Sequence, residues 1–585
     1  MSIDRSLLEK VREVAYKHAL INAIKHGGKA DLKAVISKVA AEIPEARKSL
    51  KDLLEAIKSI VEEVNKLPVE EQRRIVLSNW PEALEERPRE FKKELPPLPN
   101  AIEGKVVTRF APNPDFTLHL GNARPALLSY WYAEMYRGKM ILRFEDTDPR
   151  LKAPYPDTYI AIKRDLEWLG VRWSEEYIQS LRLPILYSVA KELIRRGGAY
   201  VDRCDAKTFK LLRNAGKACP HREKAPEDNL EEFDRMLEGW YGEGEAVVRV
   251  KTDLQHPDVS VRDWVAFRII DTTKTPHPIT GEKYIVWPTY NFAAAVDDHL
   301  MGVTHILRAR EHLTNTIKQR YLFDHMNWKY PETIHFGRLS LEGIILSKSK
   351  TKKLIAEKGL VSAADPRLGT IQGLRRRGMV KETIYRIIKD VGVKGVDAKI
   401  SLVNLYAINR AIVDPIANRY MAVKSPIPLV IKGVKDEIEA RIPIHPSRRD
   451  NYIYKIAEGS RALISREDFL TIKSGVFRLL GLANFYIKGV EEVDGVIHYV
   501  AELHSVDQEV AKRLNAPIIQ WVMDGEHVSA TLLVPHGVDL KEEPILVEKR
   551  ILGEKVDSIV QLYRIGFARV DSNIPGKLVL IYAHD

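Results

Sequence analysis

Apolar positions near the amino terminus recur at helical spacing. Leu7, Leu8, Val11, Val14 and Ala15 form one stripe, and Leu53, Leu54, Ile57, Ile60 and Val61 another, with charges between them. That period predicts amphipathic helices over 1–90. Gly27-Gly28 punctuates the region and Pro68 ends a helix; the stretch carries no chemistry and its basic residues read as a solvated face. ELPPLPN at 94–100 is a proline-rich boundary. Beyond it the pattern changes. KVVTRF (105–110) is strand-like, a turn-rich APNPDFT leads into a helix from about 118 to 136, and MILRFED (140–146) is a second strand. Strand, helix, strand in that order predicts a βαβ unit opening a parallel nucleotide-binding sheet. Helical patterns follow at 155–170 and 184–196.

From about 198 to 285 the texture breaks into short, turn-rich pieces, which reads as an insertion. Strand and helix then alternate again, with THILRA (304–309) followed by a helix from 311 to about 326, and a charged loop occupies 345–358. Past 400 the signals are mostly strands (PIPLVIKG, GVIHYVAEL, SATLLVP, KLVLIYA), which predicts a β-rich domain or a pair of barrels. The expected fold class is therefore α/β: a helical appendage at 1–98, a Rossmann-like domain at 99–400 interrupted by an α/β insertion at 198–285, and β-barrels over 401–585. Gly242-x-Gly244 lacks a third glycine and a following helix, so it reads as a turn.

Charge sharpens this picture. The 585 residues carry 91 Lys+Arg against 80 Asp+Glu, a net charge of +11 and a pI near 9.2. Such a surplus fits a polyanionic partner such as nucleic acid, and equally a basic but indifferent surface. The two cysteines, Cys204 and Cys219, exclude a disulfide-stapled scaffold. MSIDRSLLEKVREV offers no apolar signal core, and no apolar run approaches the ~20 residues that span a bilayer. A soluble, cytoplasmic protein with no membrane partner is expected.

Two segments carry candidate chemistry. Thr117-Leu118-His119-Leu120-Gly121-Asn122 lies where the first strand hands over to its helix. A helix start exposes unpaired N–H groups and attracts phosphate. His119 and Asn122, three apart, are expected on one helical face as donors to an anion, and Gly121 lets another group lie against the backbone. The second segment is Leu346-Ser347-Lys348-Ser349-Lys350, followed by Thr351, Lys352 and Lys353. A lysine between hydroxyls suits the charge that develops on a leaving pyrophosphate. Taken singly, the first reads as a structural histidine and the second as a solvated basic loop.

Together, the two segments make the chain similar to the class I aminoacyl-tRNA synthetases, whose motifs are His-Ile-Gly-His and Lys-Met-Ser-Lys-Ser. Asn122 stands where the second histidine would be, and Ile345 where the first lysine would be. Asn still donates a hydrogen bond but cannot become cationic, and the missing lysine leaves Lys348 the larger catalytic share. TRFAPNPDFTLHLGNARPALLSYWYA, LRFEDTDPR, WPTYNFAAAVDDHLMGVTHILRAREHL and LSKSK resemble the glutamyl-tRNA synthetases, the archaeal type best. NRAIVDPIANRYMAV, APIIQWV and VQLYRIGFARVD resemble the β-barrel anticodon-binding part shared by archaeal and eukaryotic glutamyl and glutaminyl enzymes. The likeness covers about 100–585.

The resemblance implies ATP-dependent attachment of L-glutamate to tRNA through a glutamyl-adenylate. His119, Asn122 and Lys348 would be catalytic. ATP would lie against Pro112, His119, Gly121, Asn122, Glu311, Ser347, Lys348 and Ser349, with Mg²⁺ bridging its phosphates. Glutamate would be held by Arg109, Glu145, Tyr290 and Arg308. Arginine forks suit a carboxylate that must be desolvated. Plainer roles are open to two of these residues: Arg109 pairs with Asp146 or Asp148, and Tyr290 is core. Ala294 stands where the family often has Asn, so one polar contact is absent or water-mediated, and Asp297-Asp298 is expected to organise its loop. Glutamine is the rival substrate, disfavoured because a neutral amide leaves two arginines without a counter-charge. Two further classes stay open at this point: a non-ligating nucleotidyltransferase and an inactive tRNA-binding relative.

The likeness further implies that the insertion holds the acceptor end of tRNA(Glu), that the barrels read anticodon bases, and that tRNA binds before glutamate is activated. It also implies charging of tRNA(Gln), whose product feeds a tRNA-dependent amidotransferase. Some relatives bind zinc where Asp202-x-Cys204 and Cys219-x-His221 stand. These four can form a closed tetrahedral site, Asp202 in place of a softer cysteine, or they pack as a metal-free remnant.

Overall fold

The computed structural model of the chain describes residues 5–25, 28–80, 95–344, 357, 362–472 and 475–585. The chain divides into two compact units, 1–92 and 93–585. The first contains helices α1 (Arg5–Lys25), α2 (Leu32–Glu42), α3 (Leu50–Lys66) and α4 (Val69–Asn79). Asp31 caps α2 by accepting from the Ala34 N–H. The predicted stripes do meet: Val11, Ala15, Ala19, Leu53, Ile57, Val61 and Val64 share one core. Buried Gln72 donates to the carbonyls of Gly28, Val64 and Leu67, fastening the turns that precede α2 and α4.

The second unit opens with β1 (Val107–Phe110), α5 (Leu120–Met135), β2 (Lys139–Phe144), α6 (Pro156–Trp168) and β3 (Glu175–Ile178). The three strands are parallel in the order β1–β2–β3. After α7 (Leu183–Arg195) comes the insertion, an antiparallel sheet β4 (Ala199–Asp202), β5 (Val247–Val250), β6 (Val265–Ile269) and β7 (Val286–Pro288) with α8 (Ala206–Asn214) and α9 (Pro226–Leu237). The chain returns through α10 (Tyr290–Leu300), β8 (His305–Ala309), α11 (Leu313–Met326) and β9 (Glu332–Phe336), with β8 and β9 parallel. The Thr304 N–H donates to the Val107 carbonyl at 2.9 Å, which sets β8 against the free side of β1. The layer thus runs β9–β8–β1–β2–β3. The crossover between β1 and β8 is a switch point, where parallel sheets open a crevice beyond the carboxyl ends of their strands.

Beyond the helix Leu402–Val413 lie two seven-stranded sheets. One begins with the strand Arg419–Tyr420 and ends, at its seventh strand, with Ala422–Lys424. Its two edges are separated in sequence by Met421 alone, so the sheet curls until its margins are one stretch of chain. The other runs from Ile518–Ile519 to Trp521–Met523, broken only at Gln520. Closure of this kind removes exposed sheet edges. The second barrel is nested in the first, between Lys424 and His527. Gln520 Oε1 accepts from the Ala422 N–H at 3.3 Å, so one barrel's seam bonds to the other's.

Candidate active site

The switch-point crevice is a cleft of about 910 Å³. Arg109, Pro112, His119, Gly121, Asn122, Glu145, Tyr290, Arg308 and Glu311 all line it. Ser347, Lys348 and Ser349 lie outside the described residues, as does Ile345. The segments on either side of them reach the cleft. Leu339 lines it, and residues 369–371 run beside the His119 segment, where the Leu120 N–H donates to the Gly369 carbonyl and the Ile371 N–H to that of Leu118.

At the helix start the geometry corrects the sequence expectation. His119 does not share a helical face with Asn122; it is the N-cap of α5, with extended backbone (φ −118°, ψ 171°). The two residues form a reciprocal capping box. His119 Nδ1 accepts from the Gly121 N–H at 3.0 Å, and Asn122 Oδ1 accepts from the His119 N–H at 3.2 Å. Burial lowers the His119 pKa to about 4. The ring is therefore neutral at pH 7, and because Nδ1 is an acceptor its proton sits on Nε2. The group that lies close against Gly121 is this same ring: a Cβ there would stand 2.8 Å from His119 Cε1.

The other end of the cleft is a buried charge cluster. Arg109 and Arg308 come from the ends of the adjacent strands β1 and β8, each 5% exposed. Arg109 Nε donates to Asp298 Oδ1 at 3.1 Å, and Arg143, fully buried on β2, donates to the same oxygen at 2.8 Å and to Glu145 Oε1 at 2.9 Å. Neither plainer partner of Arg109 applies. Asp146 is taken by Tyr159 and Ser180, and Asp148 by Arg268. Asp297 and Asp298 organise no loop; both lie on α10, where Asp297 pairs with Arg182 at 2.8 Å. Burial works against ionised Asp298, but Arg109 and Arg143 outweigh it and hold its pKa low. For Glu145 burial wins over both arginines and the pKa is raised.

Arg308 donates through one terminal nitrogen to Gln319 Oε1 at 3.0 Å, to the Tyr330 hydroxyl at 2.9 Å and to Thr316 Oγ1. Its Nε and other terminal nitrogen are buried with no well-aligned hydrogen-bond acceptor among the described residues, and the Tyr290 hydroxyl stands close to the guanidinium. Three guanidinium groups (Arg109, Arg143, Arg308) thus face two carboxylates (Glu145, Asp298). The neighbouring rings leave that balance unchanged: burial, with Arg308 adding to it, lowers His312 to about 4, so it adds no positive charge, and burial with Glu145 raises Tyr290, so it adds no negative charge. The pocket is at least one anion short, since the raised pKa of Glu145 can only widen the positive excess, and the Arg308 guanidinium is the group left to be met. Glu311, on the cleft rim, is paired with Arg338 at 2.7 Å.

Sequence reasoning missed Arg143, Asp298, Tyr330 and His312. Strand alternation brings Arg143 into view: it lies in β2, two residues before Glu145, which follows the end of that strand. Asn113, in the turn before His119, lines the cleft with a buried Oδ1 that has no partner among the described residues, and the same holds of the neighbouring Thr117 Oγ1.

In the insertion, donor atoms of Asp202, Cys204, Cys219 and His221 lie within 4.8 Å of one another. Cys204 Sγ is 3.4 Å and Cys219 Sγ 3.9 Å from His221 Nδ1, Cys219 Sγ is 3.4 Å from Asp202 Oδ1, and that oxygen is 3.1 Å from His221 Nδ1. A tetrahedron with metal–ligand bonds of about 2.0–2.3 Å has edges of about 3.3–3.8 Å. Two of these separations fall inside that range and two lie just outside it, at 3.1 and 3.9 Å, so the donor set suits zinc with small adjustments. Arg249 Nε holds the second Asp202 oxygen at 2.6 Å, leaving one oxygen for the centre.

The chain matches two family models: tRNA synthetases class I (E and Q), catalytic domain, over residues 105–414, and the corresponding anti-codon binding domain over 417–504. It is 60% identical over 566 residues to the glutamate–tRNA ligase of Staphylothermus marinus, covering 97% of this chain and all of that one. With the Hyperthermus butylicus glutamate–tRNA ligase it shares 52% over 583 residues, again 97% of this chain and all of the relative. A glutamate–tRNA ligase structure from Elizabethkingia meningosepticum aligns at a TM-score of 0.39 and 23% identity, over 54% of this chain and 70% of that one. The chain belongs to the class I tRNA synthetases of the E and Q group, in the family of the glutamate–tRNA ligases.

Proposed function

We propose that this ligase joins L-glutamate to tRNA at the expense of ATP, in two steps within the one cleft. The observation that carries the choice of amino acid is the positive excess around Arg308. Glutamate brings a net negative charge that balances it, whereas zwitterionic glutamine leaves a desolvated guanidinium uncompensated. Arg308 and Arg109 take the side-chain carboxylate, Glu145 faces the ammonium group and Tyr290 closes over the ligand.

ATP lies along the start of α5. Neutral His119 donates from Nε2 and Asn122 from its amide to phosphate oxygens, and the positive end of the helix adds its field. Mg²⁺ would enter as part of the ATP substrate and supply positive charge to its phosphates; Glu145, Asp148 and Glu311 are engaged by Arg143, Arg268 and Arg338. An oxygen of the glutamate α-carboxylate attacks the α-phosphorus, the bond to the β-phosphate oxygen breaks and pyrophosphate leaves. The 2′-hydroxyl of the terminal tRNA ribose then attacks the mixed anhydride, and AMP departs as the ester forms. The side chains supply position and fixed charge. Lys348 steadies the departing pyrophosphate, the insertion holds the acceptor end, and the barrels read the anticodon.

Asp202, Cys204, Cys219 and His221 hold a structural zinc ion that fixes the insertion's loops. Charging extends to tRNA(Gln), with its product passed to an amidotransferase; likeness to the archaeal relatives supports that extension. Transfer of radiolabelled glutamate to purified tRNA(Glu) and tRNA(Gln) tests the reading. Acid-precipitable label on tRNA(Glu) is the expected result. Its absence with active tRNA and ATP overturns the assignment, and label on tRNA(Glu) alone removes the extension.

A further inference from the structure

A second cleft, of about 620 Å³, lies away from the active site between α6, the helix Ile371–Arg376 and the first barrel, which contributes Arg569 and Asp571. Asp165, on α6, lies at its floor and is 3% exposed. Its Oδ2 accepts the Leu118 N–H at 3.3 Å, and Gln372 donates to the same carboxyl. We propose that Asp165 is a positioning residue for adenylate formation, fixing the backbone from which His119 projects into the ATP site. This rests on the synthetase reading above.

The Leu118 carbonyl and the Leu120 N–H are bonded to residues 371 and 369, and the His119 N–H is held by Asn122. The Leu118 N–H is the remaining backbone donor of 118–120, and Asp165 takes it. Without that acceptor the N–H is buried and unpaired, and the segment is held on one side only. A capping histidine that must aim Nε2 at a phosphate oxygen tolerates little displacement, because a shift of about 1 Å costs about 10²-fold in rate. The helix that pins Leu118 is in turn tied to the barrel by Arg375–Asp557 at 2.8 Å and Arg376–Asp571 at 2.7 Å. Asp165 and Gln372 therefore join the nucleotide end of the cleft to the barrel through one short helix.

The test is glutamate-dependent ATP–pyrophosphate exchange by the full chain with saturating tRNA, alongside thermal melts. Asp165→Ala is expected to lower kcat at least tenfold while the glutamate KM stays within about twofold. Asp165→Asn, whose Oδ1 still accepts the Leu118 N–H, is expected to recover kcat to within about threefold of the parent. A folded Asp165→Ala variant with parental kcat overturns the proposal, as does an Asn variant no better than Ala, or a loss confined to the glutamate KM. Should Asp165→Ala fail to fold, Gln372→Leu removes only the donor to the carboxyl. It is expected to lose threefold or more in kcat, and an unchanged value overturns the proposal. Absence of exchange in the parent protein strikes the synthetase reading instead.

Discussion

Replacing Arg308 by Gln removes the pocket's positive excess and the two donors that lack well-aligned acceptors. Each charge-assisted hydrogen bond to a carboxylate is worth about 1.5–3 kcal/mol. Two of them amount to about 3–6 kcal/mol, or two to four powers of ten at 1.36 kcal/mol per decade. The glutamate kcat/KM in pyrophosphate exchange is therefore expected to fall about 10²- to 10⁴-fold. The ATP KM is expected to change less than about threefold, since Arg308 bonds to Thr316, Gln319 and Tyr330 rather than to the His119 segment. With the excess gone, the preference for glutamate over glutamine narrows by at least about tenfold. Loss of the bonds to Gln319, Tyr330 and Thr316 destabilises the fold by about 1–3 kcal/mol, so melts accompany the kinetics. A folded variant that keeps glutamate kcat/KM within about threefold of the parent refutes the charge argument.

Gly121→Ala drives a methyl group to 2.8 Å from the His119 ring, and at least a tenfold loss of adenylation with unchanged tRNA affinity is expected from paired exchange and filter-binding assays. Cys219→Ser is expected to take zinc, measured by elemental analysis of metal-replete protein, from about one per chain to well under half, with accelerated proteolysis of the insertion. Arg124→Met leaves the carbonyls of Gly337, Gly392 and Lys394 without their shared buried donor, and chemical unfolding is expected to show a loss of about 3 kcal/mol or more. Burial lowers His119, His312 and His335 to about 4. Through these groups the unfolded chain binds more protons between about 6.5 and 4, so their contribution to stability is full above that window and is lost as pH drops through it. Buried Asp165, raised to about 7, opposes them; three histidines against one carboxyl leave a net loss on acidification, which urea unfolding from pH 7.5 to 4.5 checks.

The likeness to the family carried much of this site into view. Arg109 and Arg308 were picked out by matching family positions at the ends of two strands, and the four metal-ligand candidates by relatives that bind zinc there, with each pair two residues apart. Asp298 was not. Its partner Arg109 is 189 positions away, so nothing local distinguished it from Asp146 or Asp148, which lie closer in sequence. His119 looked like a helical residue because DFTLHLGN gives no marker for where the first helical turn starts; the capping box with Asn122 decides it. The barrels were legible only as strands. Their closure depends on non-local pairings, such as Arg419 with Gln561, and on single-residue breaks at Met421 and Gln520.

An uncompensated buried guanidinium selects an acidic amino acid, and competition between glutamate and glutamine for adenylation by the unaltered protein, with tRNA(Glu) present, measures that selection. A glutamate preference in kcat/KM of about 10³ or more is predicted, from about 4 kcal/mol of unpaired charge. Equal use of the two, or a preference for glutamine, contradicts it.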